Sequence, residues 1–94
     1  MDVWVYIKPG LNPDDRWAIE DAIEEALGDR GEVTGGGTML DGSESDFSVE
    51  IFDDATPVPF VLEQFRAVLR GFEFTEPADI RIRIGEQTFG LWDA

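Results

Sequence analysis

The sequence contains no cysteine and no histidine. Without cysteine there can be no disulfide framework, thiolate metal site or cysteine nucleophile. Without histidine the usual general base and the commonest zinc ligand are missing. Lys8 is the only lysine, and Ser43, Ser45 and Ser48 have no histidine to activate them. No apolar run approaches the ~20 residues a membrane span needs. The start, Met1-Asp2-Val3-Trp4, lacks the basic and then apolar pattern of a secretory signal. The expectation is a cytoplasmic protein that is not an enzyme and uses no cofactor or metal.

Positive charge is the other scarcity. Seven basic residues stand against 21 acidic ones, for a net charge of −14. Binding nucleic acid rests on Lys and Arg neutralising phosphates, so nucleic acid is not expected as a partner. Nor is an anionic membrane surface. A basic protein would be attracted and its encounter accelerated. The plain alternative is that the acidity only keeps a small protein soluble.

What is present suffices for a core. The 94 residues are 43% hydrophobic, with seven Phe, three Trp and one Tyr. That fits one domain over residues 1–94 and excludes a disordered acidic tail.

The patterning gives the elements in order. Asp2 to Lys8 alternates, with Val3, Val5 and Ile7 on one face and Trp4, Tyr6 and Lys8 on the other, which predicts a strand. Asn12-Pro13-Asp14-Asp15 combines a cap, a first-turn proline and two acids at the positive end of a helix. Ile19, Ala22, Ile23, Ala26 and Leu27 then form an apolar stripe, ended by Gly28 or Gly31. Strands over 32–40 and 46–52 predict a hairpin, with Gly35-Gly36-Gly37 marking a bulge or a close backbone approach. Thr56-Pro57 opens a second helix by the same cap-then-proline logic, with Val61, Phe65, Val68 and Leu69 as its stripe and Gly71 as its stop. Asp79 to Ile84 alternates again. Gly85-Glu86 suits a type II′ turn into a strand over 87–92, which sets Ile82 beside Phe89 and Ile80 beside Leu91. The order is β-α-β-β-α-β plus one strand. This predicts an α+β, ferredoxin-like two-layer sandwich with an extra C-terminal antiparallel strand and both helices on one face of the sheet.

Such a sheet leaves one face uncovered. Alternation puts Trp4, Tyr6, Lys8, Ser48, Glu50, Phe52, Arg81, Arg83, Thr88, Gly90 and Trp92 there. Arg81 and Arg83 should lie beside Trp4 and Tyr6, where guanidinium stems can cover the rings. Three uses compete: a self-satisfied polar surface, a surface for a partner or a second copy of the chain, and a small-anion pocket. The pattern that lets such sheets stack RNA bases is absent. The acid-rich loop Asp41, Glu44 and Asp46 lacks EF-hand spacing and reads as a hairpin tip or part of an acidic contact. Asp21, Glu24 and Glu25, with Asp14, Asp15 and Glu20, line the polar side of the first helix. They read as a solvated face or a dock for a basic protein.

One segment carries a resemblance. Gly31-Glu32-Val33-Thr34-Gly35-Gly36-Gly37-Thr38, followed by Asp46-Phe47-Ser48-Val49-Glu50-Ile51, resembles a hairpin in small acidic bacterial proteins. Those proteins are associated with immunity and other accessory proteins encoded beside polymorphic toxins. Their pattern often has Cys before the Asp, where this chain has Ser45. The resemblance implies an inhibitor that occupies the basic cleft of a toxin or enzyme. It carries over no functional residues. The expected function is therefore a non-catalytic, acidic protein-binding domain of the immunity type. Its candidate partner-binding residues are Trp4, Tyr6, Glu50, Arg81, Arg83, Trp92, Asp41, Glu44, Asp46, Asp21, Glu24 and Glu25. A ligand- or anion-sensing module and a structural subunit that dimerises through the open sheet face are the alternatives.

Overall fold

In the computed structural model, which describes residues 1–75 and 78–92, strand β1 (Asp2–Lys8) buries Val3, Val5 and Ile7 and leaves Trp4 and Tyr6 half-buried on the other side. The chain leaves β1 through a cis Lys8–Pro9 bond. Helix α1 (Pro13–Leu27) starts as its sequence predicts: the Asn12 side chain accepts the Asp15 N–H at 2.8 Å, and proline occupies the first turn. Ile19, Ile23 and Leu27 are buried, whereas Ala26 is exposed, so the apolar stripe is narrower than predicted. Gly28 caps the helix.

Strands β2 (Gly31–Thr38) and β3 (Ser45–Ile51) form the hairpin, each displaced slightly toward the N-terminus of its predicted range. A bulge between Val33 and Gly35 interrupts the register. Beyond it Gly36 has φ 155, and a Cβ there would come within 2.5 Å of the Asp46 carbonyl oxygen. Only glycine fits that approach.

Helix α2 (Val58–Arg70) corrects one expectation. Thr56 does not cap it; Pro57 holds the cap position in an extended conformation, and no side chain caps the helix. The N–H groups of Phe60 and Val61 both bond to the Pro57 carbonyl. Pro57 and Pro59 then sit where a helix needs no donor, which makes the later start the better fit. The helix buries Val61, Leu62, Phe65 and Leu69.

Strand β4 (Asp79–Ile84) turns through Gly85, at φ 61, into β5 (Gln87–Gly90). Ile82 faces Phe89 as the pattern predicts. Strand β5 ends at Gly90, earlier than expected, although the Leu91 N–H still reaches the Ile80 carbonyl at 3.1 Å.

The five strands form one antiparallel sheet in the order β2-β3-β1-β4-β5. Val3 and Val5 of the central strand face Val49 and Phe47 on one side and Ile84 and Ile82 on the other. Both helices pack on this side in one core. Burying a side chain such as Phe47 or Phe65 contributes roughly 2–3 kcal/mol. The architecture is α+β, an antiparallel sheet with two helices on one face. Among the described residues, no helix is long and apolar enough to cross a membrane.

Candidate binding face

The opposite face of the sheet has no layer over it. Its centre is β1, where Trp4 and Tyr6 stack with ring centroids 6.2 Å apart and planes 13° apart. Pairing fixes their neighbours: Ser48 and Arg83 flank Trp4, and Asp46 and Arg81 flank Tyr6. Farther along, Lys8 pairs with Asp79. At the other end Asp2, Glu50 and Glu32 form one row across three strands. Like charges opposite one another on a sheet repel.

These registers split the face by charge. The β2–β3 half carries Glu32, Asp46 and Glu50, and β4 carries Arg81 and Arg83, with the aromatic pair between them. Beside the arginines lies a depression of about 380 Å³, lined by Tyr6, Lys8, Arg81, Arg83, Thr88 and two carboxylates, Glu44 and Asp79. Arg81 Nε is 3.1 Å from Asp79 Oδ1. Both side chains are more than half exposed, so that pair is worth no more than about 1 kcal/mol. Among the described residues, the side chains of Lys8 and Arg83 have no ion pair or hydrogen bond. Gly90 faces Arg81 and presents no side chain to it.

The other four cations serve the helix layer. Arg30 donates to the Leu27 and Ala26 carbonyls and lies 6.0 Å from the Phe60 ring centroid. Buried Arg66 donates to the Gly90 carbonyl at 2.9 Å, and Arg70 donates to the Leu91 carbonyl. Arg16 lies 4.0 Å from Glu20. Burial holds the Glu20 carboxyl above its ordinary range; Arg16 opposes that rise, while Asp21 and Glu24 reinforce it.

The candidate residues therefore fall into separate groups. Trp4, Tyr6, Asp46, Glu50, Arg81 and Arg83 share the open face, with Glu44 at its rim. Asp41 lies apart on the exposed hairpin loop, where hydrogen bonds from the Ser43 side chain and backbone hold its carboxyl below the usual range. Asp21, Glu24 and Glu25 lie on exposed positions of α1, in the layer behind the sheet. Glu24 is not a free acid: it accepts the Val33 N–H of edge strand β2 at 3.3 Å. Trp92 needs a correction. It is not part of the open face; pairing ends at Gly90, Leu91 turns into the core, and the Trp92 ring lies 5.3 Å from the Arg70 guanidinium of α2. Sequence reasoning missed Asp79 in the depression, and it assigned Asp46 only to the loop. The alternation that placed Ser48 would have placed Asp46 two residues before it.

Among the described residues, no group of three or more acids converges tightly enough to hold a metal ion. Comparison with protein-family models, curated proteins and solved structures finds no match.

Proposed function

We propose that the chain is a non-catalytic acidic binding domain, an immunity-type inhibitor on a ferredoxin-like frame, that captures a basic protein by electrostatic steering. One observation carries this reading. Four of the seven cations are engaged around the helix layer, three of them on backbone carbonyls, while most of the 21 acids remain at the surface. Acids still far outnumber these four cations away from the open face, so the net field there is negative. A surface of one sign raises the encounter rate with an oppositely charged partner by roughly tenfold or more. Asp21 and Glu25 on α1 and Asp41 on the hairpin loop are exposed acids placed to do this. The loop adds an apolar anchor, since Leu40 is fully exposed and the backbone of its loop is held by Gly42 N–H to Met39 O and Gly10 N–H to Gly42 O bonds. An inhibitory role rests on the hairpin resemblance at Gly31–Thr38.

The test uses hen lysozyme as a basic probe, and alongside it the product of whichever gene adjoins this one. Stopped-flow association should slow roughly tenfold as salt rises from about 0.05 to about 0.5 M. A D21N/E25Q/D41N variant should lose association rate with little change in dissociation. An association rate that ignores both salt and these three changes removes the proposal.

A further inference from the structure

We infer that the open sheet face is a self-complementary interface on which a second copy of this chain docks, with the two-fold axis running along β1. The argument does not depend on the proposed function, which uses the opposite side of the molecule and the hairpin loop.

The charge layout chooses the occupant. Cationic β4 and acidic β3 flank the central strand at equal distances, one strand spacing of about 4.8 Å on either side. Two copies can meet face to face about a two-fold axis lying in the sheet plane in two simple ways. An axis across the strands keeps each half over its own image, so Arg81 lands on Arg83 and the acidic halves meet each other. An axis along β1 exchanges the halves. Arg81 of one copy then lies over Asp46 of the other, because both occupy the Tyr6 row. Arg83 lies over Ser48, with Asp46 and Glu50 on its diagonals, within reach of a long side chain. The Trp4–Tyr6 stack meets its own image on the axis, where aromatic anchors are most useful. Packed sheets cross at roughly 30°, so this alignment holds best next to the axis. The strands it needs, β3 and β4, are the two beside it.

The ends of the face oppose this arrangement in part, because an axis along β1 sets Lys8 over Lys8 and Asp2 over Asp2. At one end each Lys8 is bracketed by Asp79 and Glu44. The uncompensated row of Asp2, Glu50 and Glu32 lies at the other end, where it stays at the solvated rim. The footprint, about 24 by 20 Å, buries under about 1,000 Å² over the two copies, below the standard size of a stable interface, so the association is a weak, transient one. Each copy carries −14. Their long-range repulsion is screened by salt, whereas contacts inside the interface are screened less. Self-association should therefore tighten as salt is added.

Analytical ultracentrifugation of the full chain tests this. The expected result is a monomer–dimer equilibrium that tightens several-fold between about 0.05 and about 0.3 M salt. R81E/R83E and D46K/E50K should each weaken it about 100-fold while leaving the circular dichroism spectrum unchanged. Mixing the two variants should restore association as a heterodimer, which a merely damaged surface cannot do. Three results overturn the inference: a monomer at about 1 mM protein, a dimer indifferent to both charge reversals, or reversals that each abolish association without forming the heterodimer.

Discussion

Three consecutive glycines invite one explanation, yet the geometry assigns them unequal roles. Replacing each with alanine separates them. At Gly36 the new Cβ would lie 2.5 Å from the Asp46 carbonyl oxygen and 2.8 Å from the Phe47 Cβ, with φ at 155. Both neighbours belong to the paired strand, so neither can swing away as a long side chain could. Strained backbone and forced separation of the hairpin together should cost about 3 kcal/mol. At Gly35 the nearest atom to a new Cβ is the Ser48 hydroxyl oxygen at 3.6 Å, an ordinary contact. At Gly37 it is an Arg16 guanidinium nitrogen at 4.0 Å. Alanine fits at both, and it removes freedom from the unfolded chain, so each should be neutral or stabilising by about 0.5 kcal/mol. A domain of this size is stable by roughly 5–14 kcal/mol, so 3 kcal/mol is a large loss. Urea unfolding followed by tryptophan fluorescence reads it directly. With a slope of about 1–1.5 kcal/mol per molar urea, the Gly36→Ala midpoint should fall by roughly 2–3 M, and the other two should stay near the parent. If Gly35→Ala or Gly37→Ala proved as damaging as Gly36→Ala, the assignment of the close approach to Gly36 would be wrong.

Two further changes probe the helix layer. Glu20 has a folded pKa above its ordinary value, so its charged form is held at a cost; that cost is present at neutral pH and disappears as pH falls through the raised pKa. Glu20→Gln should therefore raise the melting temperature at neutral pH, and the difference should close in acid; a variant less stable at neutral pH would show that the Arg16 contact outweighs burial. Arg66→Ala removes a charged donor from the Gly90 carbonyl and should cost about 2 kcal/mol. Hydrogen exchange at the Leu91 N–H should accelerate with it, and unchanged exchange there would mean that Arg66 does not hold the end of β5.

The elements were legible where the local signal was redundant. Asn12, Pro13 and the two acids after them all mark the same helix start, and Ile80, Ile82 and Ile84 alternate without interruption against Arg81 and Arg83. Errors came where a short-range rule had two solutions. Thr56-Pro57 and Pro57-Val58-Pro59 both resemble helix starts, and the second proline favours the later one. Trp92 alternates correctly for an open-face residue, but alternation stops applying once Arg66 and Arg70 bind the carbonyls of Gly90 and Leu91 and draw the chain end toward α2. Nothing in the local pattern around Trp92 announces two arginines some 20 residues earlier.

The open face was legible as a set of residues but not as an electrical object. Composition reports −14 and cannot say that two arginines lie on one side of a single aromatic pair and an acid, Asp46, on the other. That arrangement appears only once register sets Asp46 and Arg81 on opposite sides of Tyr6. The two proposed associations have opposite responses to salt. Capture of a basic protein depends on long-range attraction, which screening weakens. Pairing of two like-charged copies depends on short contacts formed against long-range repulsion, which screening relieves. Net charge alone predicts that added salt drives the basic partner off and brings the two copies together; use of the sheet face is shown only if the charge reversals at Arg81 and Arg83 and at Asp46 and Glu50 also abolish self-association and their mixture restores it.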